Sequence, residues 1–563
     1  EFIKVHINQF YGIEINDFAV TVAKTALWIA ESQMVCETEA ILSQTINFLP
    51  LTTNAFIVEG NALRMDWSTL KAIDESALPQ DGLFAGFTTQ TDGTPHTYNY
   101  IIGNPPFVGA RLMSEGQKKD VVSVFDDTKN IGNLDYVSCW YKKAAELMSA
   151  TTAASGAQTK AALVSTNSIT QGEQVAILWK SLFENDKVQI DFAWRTFRWD
   201  SESTEKAHVH CVIVGFSCKD CRVKPDNDNA SVIPALDAGI RPKFIFDENG
   251  NAHEAKNING YLLDAPNIFV ESRQKPLRAV PEIGIGNKPI DGGNYLFTED
   301  EKNEFVKKEP LAKKYFRKWI GSDEFINRYH RWCLWLGDCS PAEIKKMGEC
   351  YKLVQAVREF RLASKSAPTQ KLADTPTRFH VENFPKSDYI LIPRVSSEKR
   401  RYIPIGFISP DILASDSVHI IDCSQFKSRD FSQGKTPSFS ALALFGILTS
   451  SVHNAWMRAV SGRLETRYRY SKDIVYNNFP WCTPPDEQKA KIEQTAQGIL
   501  DARAKYPDSS LADLYDETLM PAELRRAHRE NDAAVMKAYG FDAKMSESEI
   551  VEELFKMYEK LTK

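Results

Sequence analysis

The chain has 563 residues, a formal net charge of −6 at neutral pH and one residue in four charged. That length exceeds one ordinary core and predicts two or three domains. No apolar run approaches the roughly 20 residues that span a bilayer, and the acidic balance argues against a protein that coats nucleic acid indiscriminately.

In chain order, EFIKVHINQF opens without an initiator methionine or a signal peptide, and its hydrophobics run straight into FYGIEI, as in a piece of something longer. From residue 1 to about 225, short β-branched runs alternate with helical stretches: YGIEI, NDFAVTVAKTALWIAESQM, AFIVEGNAL, YNYIIGNPPF, LDYVSCWYKKAAELM, KAALVSTNS, QVAILWKSLF, VQIDFAWRTF and HVHCVIVGF. That alternation predicts an α/β domain with a mainly parallel sheet. His208 and His210 share a face of the last strand and read as sheet residues. From about 226 to 485 the pattern is irregular, rich in Pro and aromatic residues, and predicts a second, mixed α+β domain. After FPWCTPPDE, residues 486–563 are charged and helically periodic, a helical extension whose LRRAHRE stretch offers a basic face. Of the ten cysteines only Cys218 and Cys221 form a C-x-x-C pair, and no second pair sits at zinc spacing. A reduced, cytoplasmic chain without a metal site is expected.

The stretch IIGNPPF places Asn104, Pro105, Pro106 and Phe107 directly after a hydrophobic run, at the carboxyl end of a strand, where open α/β sheets bind ligands. Two prolines stiffen the loop and leave carbonyls free to accept. The Asn104 side-chain oxygen and the Pro105 carbonyl can together grip both hydrogens of an exocyclic amine, with Phe107 stacked on the ring that carries it. Such a grip suits amino-methylation of a flipped base. The same residues also suit a rigid strand-to-helix turn around a buried Phe. Upstream, Glu14 stands near the end of YGIEI ahead of Asn16 and Asp17, placed to bind the two hydroxyls of a ribose. Asp66 in GNALRMDW follows another strand, where it can accept from an adenine amine. Individually, each acid also reads as a strand-end charge or a helix cap.

Asn104-Pro105-Pro106-Phe107 resembles the catalytic motif of amino-methyltransferases, and Phe107 favours the adenine-N6 branch. GNPPFVGARLMSEGQKKDV, GNLDYVSCWYKKAAELM and AALVSTNSITQGEQV are similar to the MmeI-like single-chain restriction-modification enzymes of bacteria, of the Type IIL or IIG kind. SGRLETRYRYSKDIVYNNFPW and SLADLYDETLMPAELRRAHRENDAAVMKAYG resemble that family's target-recognition and carboxyl-terminal segments. The resemblance implies a Rossmann-like S-adenosylmethionine-dependent methyltransferase domain over 1–225, a target-recognition domain over 226–485 and a helical extension over 486–563. It implies methyl transfer to adenine N6 in double-stranded DNA, with Glu14 on the cofactor ribose, Asp66 on the cofactor adenine and Asn104 and Pro105 on the target amine. A second aromatic wall is expected from Phe197 or Trp199. The family's glycine-rich cofactor loop would precede the Glu14 strand and its nuclease region lies further upstream, so this chain alone is expected to hold the cofactor weakly.

Between residues 451 and 480, Arg458, Arg463, Arg467, Arg469 and Lys472 outnumber Glu465 and Asp473, with tyrosines interleaved. An extended RLETRYRY throws Glu465, Arg467 and Arg469 onto one face. Arg suits guanine O6 and N7, and Glu accepts from cytosine N4. Arg394, Arg400 and Arg401 in PRVSSEKRRY suit phosphates. Two other functions fit parts of this pattern: a non-catalytic, sequence-specific DNA-binding fragment, and an amino-methyltransferase acting on RNA or protein amides.

Overall fold

A computed structural model describes residues 5–43, 55–70, 97–126, 128–155, 158–199, 209–219, 242–426 and 439–563. Cys221 and His208 lie outside them. The chain divides into two compact units: residues 1–169 with 177–258, and residues 170–176 with 259–563.

In the first unit, β1 (Tyr11–Glu14) pairs in parallel with β2 (Phe56–Glu59), Glu14 opposite Glu59. Helix α1 (Asp17–Leu42) starts where Asn16 accepts from the Ala19 N–H, an N-cap that turns the chain away immediately after β1. The larger sheet has six strands: β3 (Tyr100–Gly103), β4 (Lys160–Thr166), β5 (Val188–Trp199), β6 (Val209–Cys218), β7 (Lys243–Phe246) and β8 (Ala252–Ala255), in the order β3-β4-β6-β5-β7-β8. Only β3–β4 and β5–β7 pair in parallel; β4–β6, β5–β6 and β7–β8 are antiparallel. The expectation of a mainly parallel sheet is therefore corrected. The physical reason is that β6 folds back on β5 in a long antiparallel pairing and inserts between β5 and β4. Strands β7 and β8 add an edge that the sequence pattern did not announce.

Besides α1, this unit holds α2 (Glu115–Phe125), α3 (Ser138–Ser155) and, from residue 177 onward, α4 (Gly172–Glu184). In β4 burial alternates strictly, and buried Tyr141 of α3 stacks on Phe216 of β6 at 5.4 Å while sharing a 2.9 Å hydrogen bond with Ser165 of β4. Trp179 closes the layer edge-on to Tyr141 and donates to the Ile169 carbonyl. A buried aromatic with its polar tip satisfied is what fixes a helix over a sheet in one register.

In the second unit, the strands are β9 (Gly284–Ile285), β10 (Leu296–Phe297), β11 (Phe316–Ile320), β12 (Arg331–Leu334), β13 (Tyr389–Pro393), β14 (Val395–Ser396), β15 (Gly406–Ile408), β16 (Ile412–Ala414), β17 (Val418–Asp422), β18 (Gly462–Leu464) and β19 (Arg467–Arg469). They form three small sheets, β10-β12-β11-β16, β15-β13-β17-β9 and β14-β19-β18. Helix α5 (Gly348–Leu362) carries Arg361, which is fully buried and donates to the carbonyls of Pro289, Ile290, Leu372, Thr375 and Arg378. Five carbonyls make a burial tolerable that would otherwise strand a charge.

Toward its carboxyl end this unit carries helices α6 (Ala441–Leu448), α7 (Ser451–Val460), α8 (Asp486–Ala504), α9 (Ala522–Tyr539) and α10 (Glu547–Thr562). A Cβ at Gly446 would lie 2.7 Å from Ile492, so only glycine allows α6 and α8 to cross this closely. Asn531 of α9 fastens that crossing, donating to the Gly446 carbonyl and accepting from Thr495. None of the described helices is long and apolar enough to cross a membrane.

His453 of α7 shares a 2.9 Å hydrogen bond with the Tyr470 hydroxyl, and His419 of β17 meets the Tyr470 carbonyl at 3.3 Å. Burial pushes both imidazoles down to about 3 from the ordinary 6.5, so both are neutral in the folded state. The unfolded chain protonates them near pH 6.5, so their contribution is complete above that pH and declines as the pH falls toward 3. Each histidine should steepen the acid loss by up to about 1.4 kcal/mol per pH unit. Urea midpoints measured at pH 7.5 and 5.5 should fall less between the two pH values in His453→Gln than in the wild type, although Gln lowers stability at both.

Candidate nucleic-acid methylation site

Because β1 and β2 run in parallel, Glu14 and the segment after β2 lie at the same end of their sheet. Glu14 is exposed, and its carboxylate accepts from the N–H of Ile15 at 3.1 Å. Asp66 caps a short 3-10 turn, accepting from the Ser68 N–H at 2.9 Å and the Ser68 hydroxyl at 2.7 Å. Those donors hold its carboxyl below the usual range. The helix-cap role anticipated for such an acid is thus present. Tyr98 donates to the Trp67 carbonyl and Lys143 to the Met65 carbonyl, which fixes the Asp66 turn from both sides.

At the end of β3, Asn104 is exposed, Pro105 buried, Pro106 exposed and Phe107 half-buried. A Cβ at Gly103, just before them, would stand 3.3 Å from the Leu163 side chain of the neighbouring strand, a tight contact. The loop continues to Ala110, whose N–H donates to Asp135 at 3.1 Å, and the Val108 carbonyl accepts from the Tyr136 N–H at 2.9 Å. The other oxygen of Asp135 accepts from the hydroxyls of Thr166 at 3.2 Å and Ser168, at the carboxyl end of β4. Asp135 is buried, as is Asp120 of α2, which accepts from Tyr136 at 2.8 Å, Arg64 at 2.8 Å and Asn61 at 3.1 Å. Burial raises the Asp120 pKa, but its three donors outweigh that and leave it lowered.

GNLDYVSCW carries the family resemblance, but no local motif marks Asp120, Asp135 or Tyr136 as functional. The available signal was an acid in the middle of the apolar run LDYVSCW. Phe197 and Trp199 stand on the far end of β5, where Phe197 and Thr166 both pair with Cys211 across β6. Both aromatics therefore lie at the sheet end where β4 finishes, with Trp199 47% exposed. Glu14 at the end of β1 and Asp66 in the segment after β2 offer acceptors of the kind a nucleoside requires. An Asn beside a proline carbonyl offers two acceptors for an amine.

In the second unit, β18 and β19 form a hairpin closed by Glu465 and Thr466. Glu465 has φ +60°, which two-residue hairpin turns demand, so it stands in the turn and outside the strand alternation that placed it in line with Arg467 and Arg469. Arg467 and Arg469 are exposed on one face of β19 with Tyr468 buried between them. Arg467 pairs with Glu465 at 2.8 Å. Arg463 lies over the Tyr468 ring and donates to its hydroxyl. Arg394, just before β14, is half-buried and donates to the Asp416 carbonyl at 2.7 Å; burial and the nearby Arg469 charge lower its pKa. Arg400 and exposed Arg401 line a cavity of about 760 Å³ together with Arg458, Arg529, Asp532 and Glu547. Among the described residues no group of three His, Cys, Asp or Glu is placed to hold a metal ion.

Three family models match the chain: the MmeI DNA-methyltransferase domain over residues 1–225, the MmeI target recognition domain over 264–428 and 435–483, and the MmeI C-terminal domain over 484–563. A curated protein of Bacillus subtilis (strain 168), DNA methyltransferase A, is 36% identical over 560 residues, 99% of this chain. The chain spans 56% of that relative's length. Among solved structures, the Type IIL restriction-modification enzyme MmeI in complex with DNA is 39% identical with a TM-score of 0.83, covering 100% of this chain and 67% of its own.

The Glu465–Arg467 pair is exposed at a hairpin tip, so it should contribute little to folding. Replacing either residue by Ala should change the unfolding free energy by less than about 1 kcal/mol in urea titration. A larger loss would make the pair a structural lock.

Proposed function

The chain belongs to the MmeI family, and on that premise we propose that it is the methyl-transferring and DNA-reading part of a bacterial restriction-modification enzyme. Its reaction would be methyl transfer from S-adenosylmethionine to N6 of an adenine flipped out of double-stranded DNA. The observation that carries the reading is the loop Asn104–Phe107, with Asn104 exposed at the end of β3 and Phe107 half-buried beside it.

An adenine drawn from the duplex would present its amine to the Asn104 oxygen and the Pro105 carbonyl. Two acceptors take both amine hydrogens and turn the nitrogen lone pair toward the methyl group. Phe107, with Phe197 or Trp199 opposite, would hold the ring by stacking, as base-flipping enzymes do. Pro106 stiffens the loop so that the acceptors are aimed before the base arrives. Glu14 would bind the cofactor ribose and Asp66 its adenine amine. S-adenosylmethionine, when bound, supplies a methyl group on a positively charged sulfur, already electrophilic, so alignment is what the protein must provide.

Residues 226–485 would read the site, and the helical segment after 485 would support them. On the β18–β19 hairpin, Glu465 can accept from cytosine N4 and Arg467 can donate to guanine O6 and N7, with Arg469 beside them. Arg394, Arg400 and Arg401 would contact phosphates, Arg401 most readily because it is exposed. The family's nuclease region would belong to the same polypeptide upstream of this chain.

Two variants of the full-length protein test these roles. Asn104→Ala should abolish adenine methylation while DNA affinity stays within a few-fold, since it removes an acceptor for the amine and little else. The double variant Glu465→Lys, Arg467→Asp should change the base pair accepted at one position, because each good base contact discriminates by about 1–3 kcal/mol. Methylation-site profiling over a pool of sequences reads both. Retained activity in the first would remove Asn104 from the chemistry, and an unchanged preference with uniformly weaker action would make the pair a backbone contact.

A further inference from the structure

We propose that Asp135 and Asp120 are positioning residues for methyl transfer: two buried carboxylates, bridged by Tyr136, that brace the loop carrying Asn104 against the segment carrying Asp66. The inference rests on the roles proposed for Asn104 and Asp66.

The contacts form one continuous path. Asn61 and Arg64, in the turn that leads to Asp66, donate to Asp120 at 3.1 and 2.8 Å. Asp120 accepts the Tyr136 hydroxyl at 2.8 Å. The Tyr136 N–H donates to the carbonyl of Val108, one residue after Phe107, at 2.9 Å. Asp135, next in chain to Tyr136, accepts the Ala110 N–H at 3.1 Å. Its second oxygen accepts from Thr166 and Ser168, so the far end of the catalytic loop is fastened to the carboxyl end of β4. The near end is already fixed to β4, where Gly103 pairs with Leu163. The six residues between those anchors are therefore held at both ends.

Three features favour positioning over simple support. Asp120, Tyr136 and Asp135 are 5%, 5% and 8% exposed, and burying carboxylates in a fold is costly unless their acceptors are used. Each acid spends its oxygens on donors from different elements: Asp120 on the 61–64 turn and on Tyr136, Asp135 on the loop and on β4. Neither stands among the residues proposed to touch the amine or the cofactor. A brace of this kind acts on alignment, and a displacement of about 1 Å at the reacting atoms can cost on the order of 100-fold in rate.

The test uses the full-length enzyme and separates the two acids by what each should move. Asp135→Ala should lower kcat about 10- to 100-fold while the dissociation constant for S-adenosylmethionine stays within about two-fold. Asp135→Asn should recover much of that loss, because the amide oxygen still accepts from Ala110. Asp120→Ala should weaken cofactor binding about ten-fold or more as the Asp66 turn loosens. Tyr136→Phe, which keeps the backbone bond to Val108, should show a smaller loss in both. Amide hydrogen exchange at Ala110 supplies a readout independent of methylation: its protection should fall in Asp135→Ala and persist in Asp120→Ala. A wild-type protein that methylates no adenine would defeat the functional reading, while the exchange data would still decide whether Asp135 holds the loop. Unchanged kcat and unchanged Ala110 exchange in Asp135→Ala, or variants that alter only the melting temperature, would overturn the brace.

Discussion

The buried carboxylate of Asp120 links two sheets that share no strand among the described residues. It accepts from Asn61 and Arg64, beyond the end of β2, and from Tyr136, which borders the loop at the end of β3. Among the described residues no strand pairing provides that link. Hydrogen bonds to an ionised acceptor are shorter and stronger than neutral ones, and they lose much of their value when one partner is removed from a buried site. The relative placement of Asp66 and Asn104 therefore depends on side chains outside those proposed to hold base and cofactor.

The second unit places its exposed charges by a different device. The tip of the β18–β19 hairpin is set by a non-glycine residue with positive φ, and the strand behind it is held by buried Tyr468 with Arg463 stacked over the ring. In the core of the same unit, neutral His453 and His528 each share one hydrogen bond, through Nε2, with the hydroxyls of Tyr470 and Tyr515. A buried support behind an exposed ion pair leaves the tip residues free to change without loss of the fold.

How much of this was legible follows from the distance over which each contact acts. Asn104 to Phe107 announced themselves because a strand, two prolines and an aromatic are adjacent in sequence, and Glu14 because Asn16 caps the helix that follows at once. The family resemblance was legible over nearly the whole chain for the same reason: its motifs are local. Asp120 was not legible, since its donors lie 16 to 59 residues away. Alternation of strands and helices suggested a mainly parallel sheet because it records succession and says nothing of insertion, and β6 enters antiparallel between β4 and β5. Glu465 was placed on a strand face because Glu carries no turn signal of the kind Gly or Asn would give.

The central claim is that the loop at the end of β3 aligns an adenine amine for methylation. The most direct measurement is the identity of the modified atom: full-length protein, S-adenosylmethionine labelled in its methyl group, a duplex DNA pool, and nucleoside analysis after digestion. All label in N6-methyladenine, confined to one sequence context, is the result expected. Label in N4-methylcytosine, in RNA or in protein, or none in DNA, would contradict it.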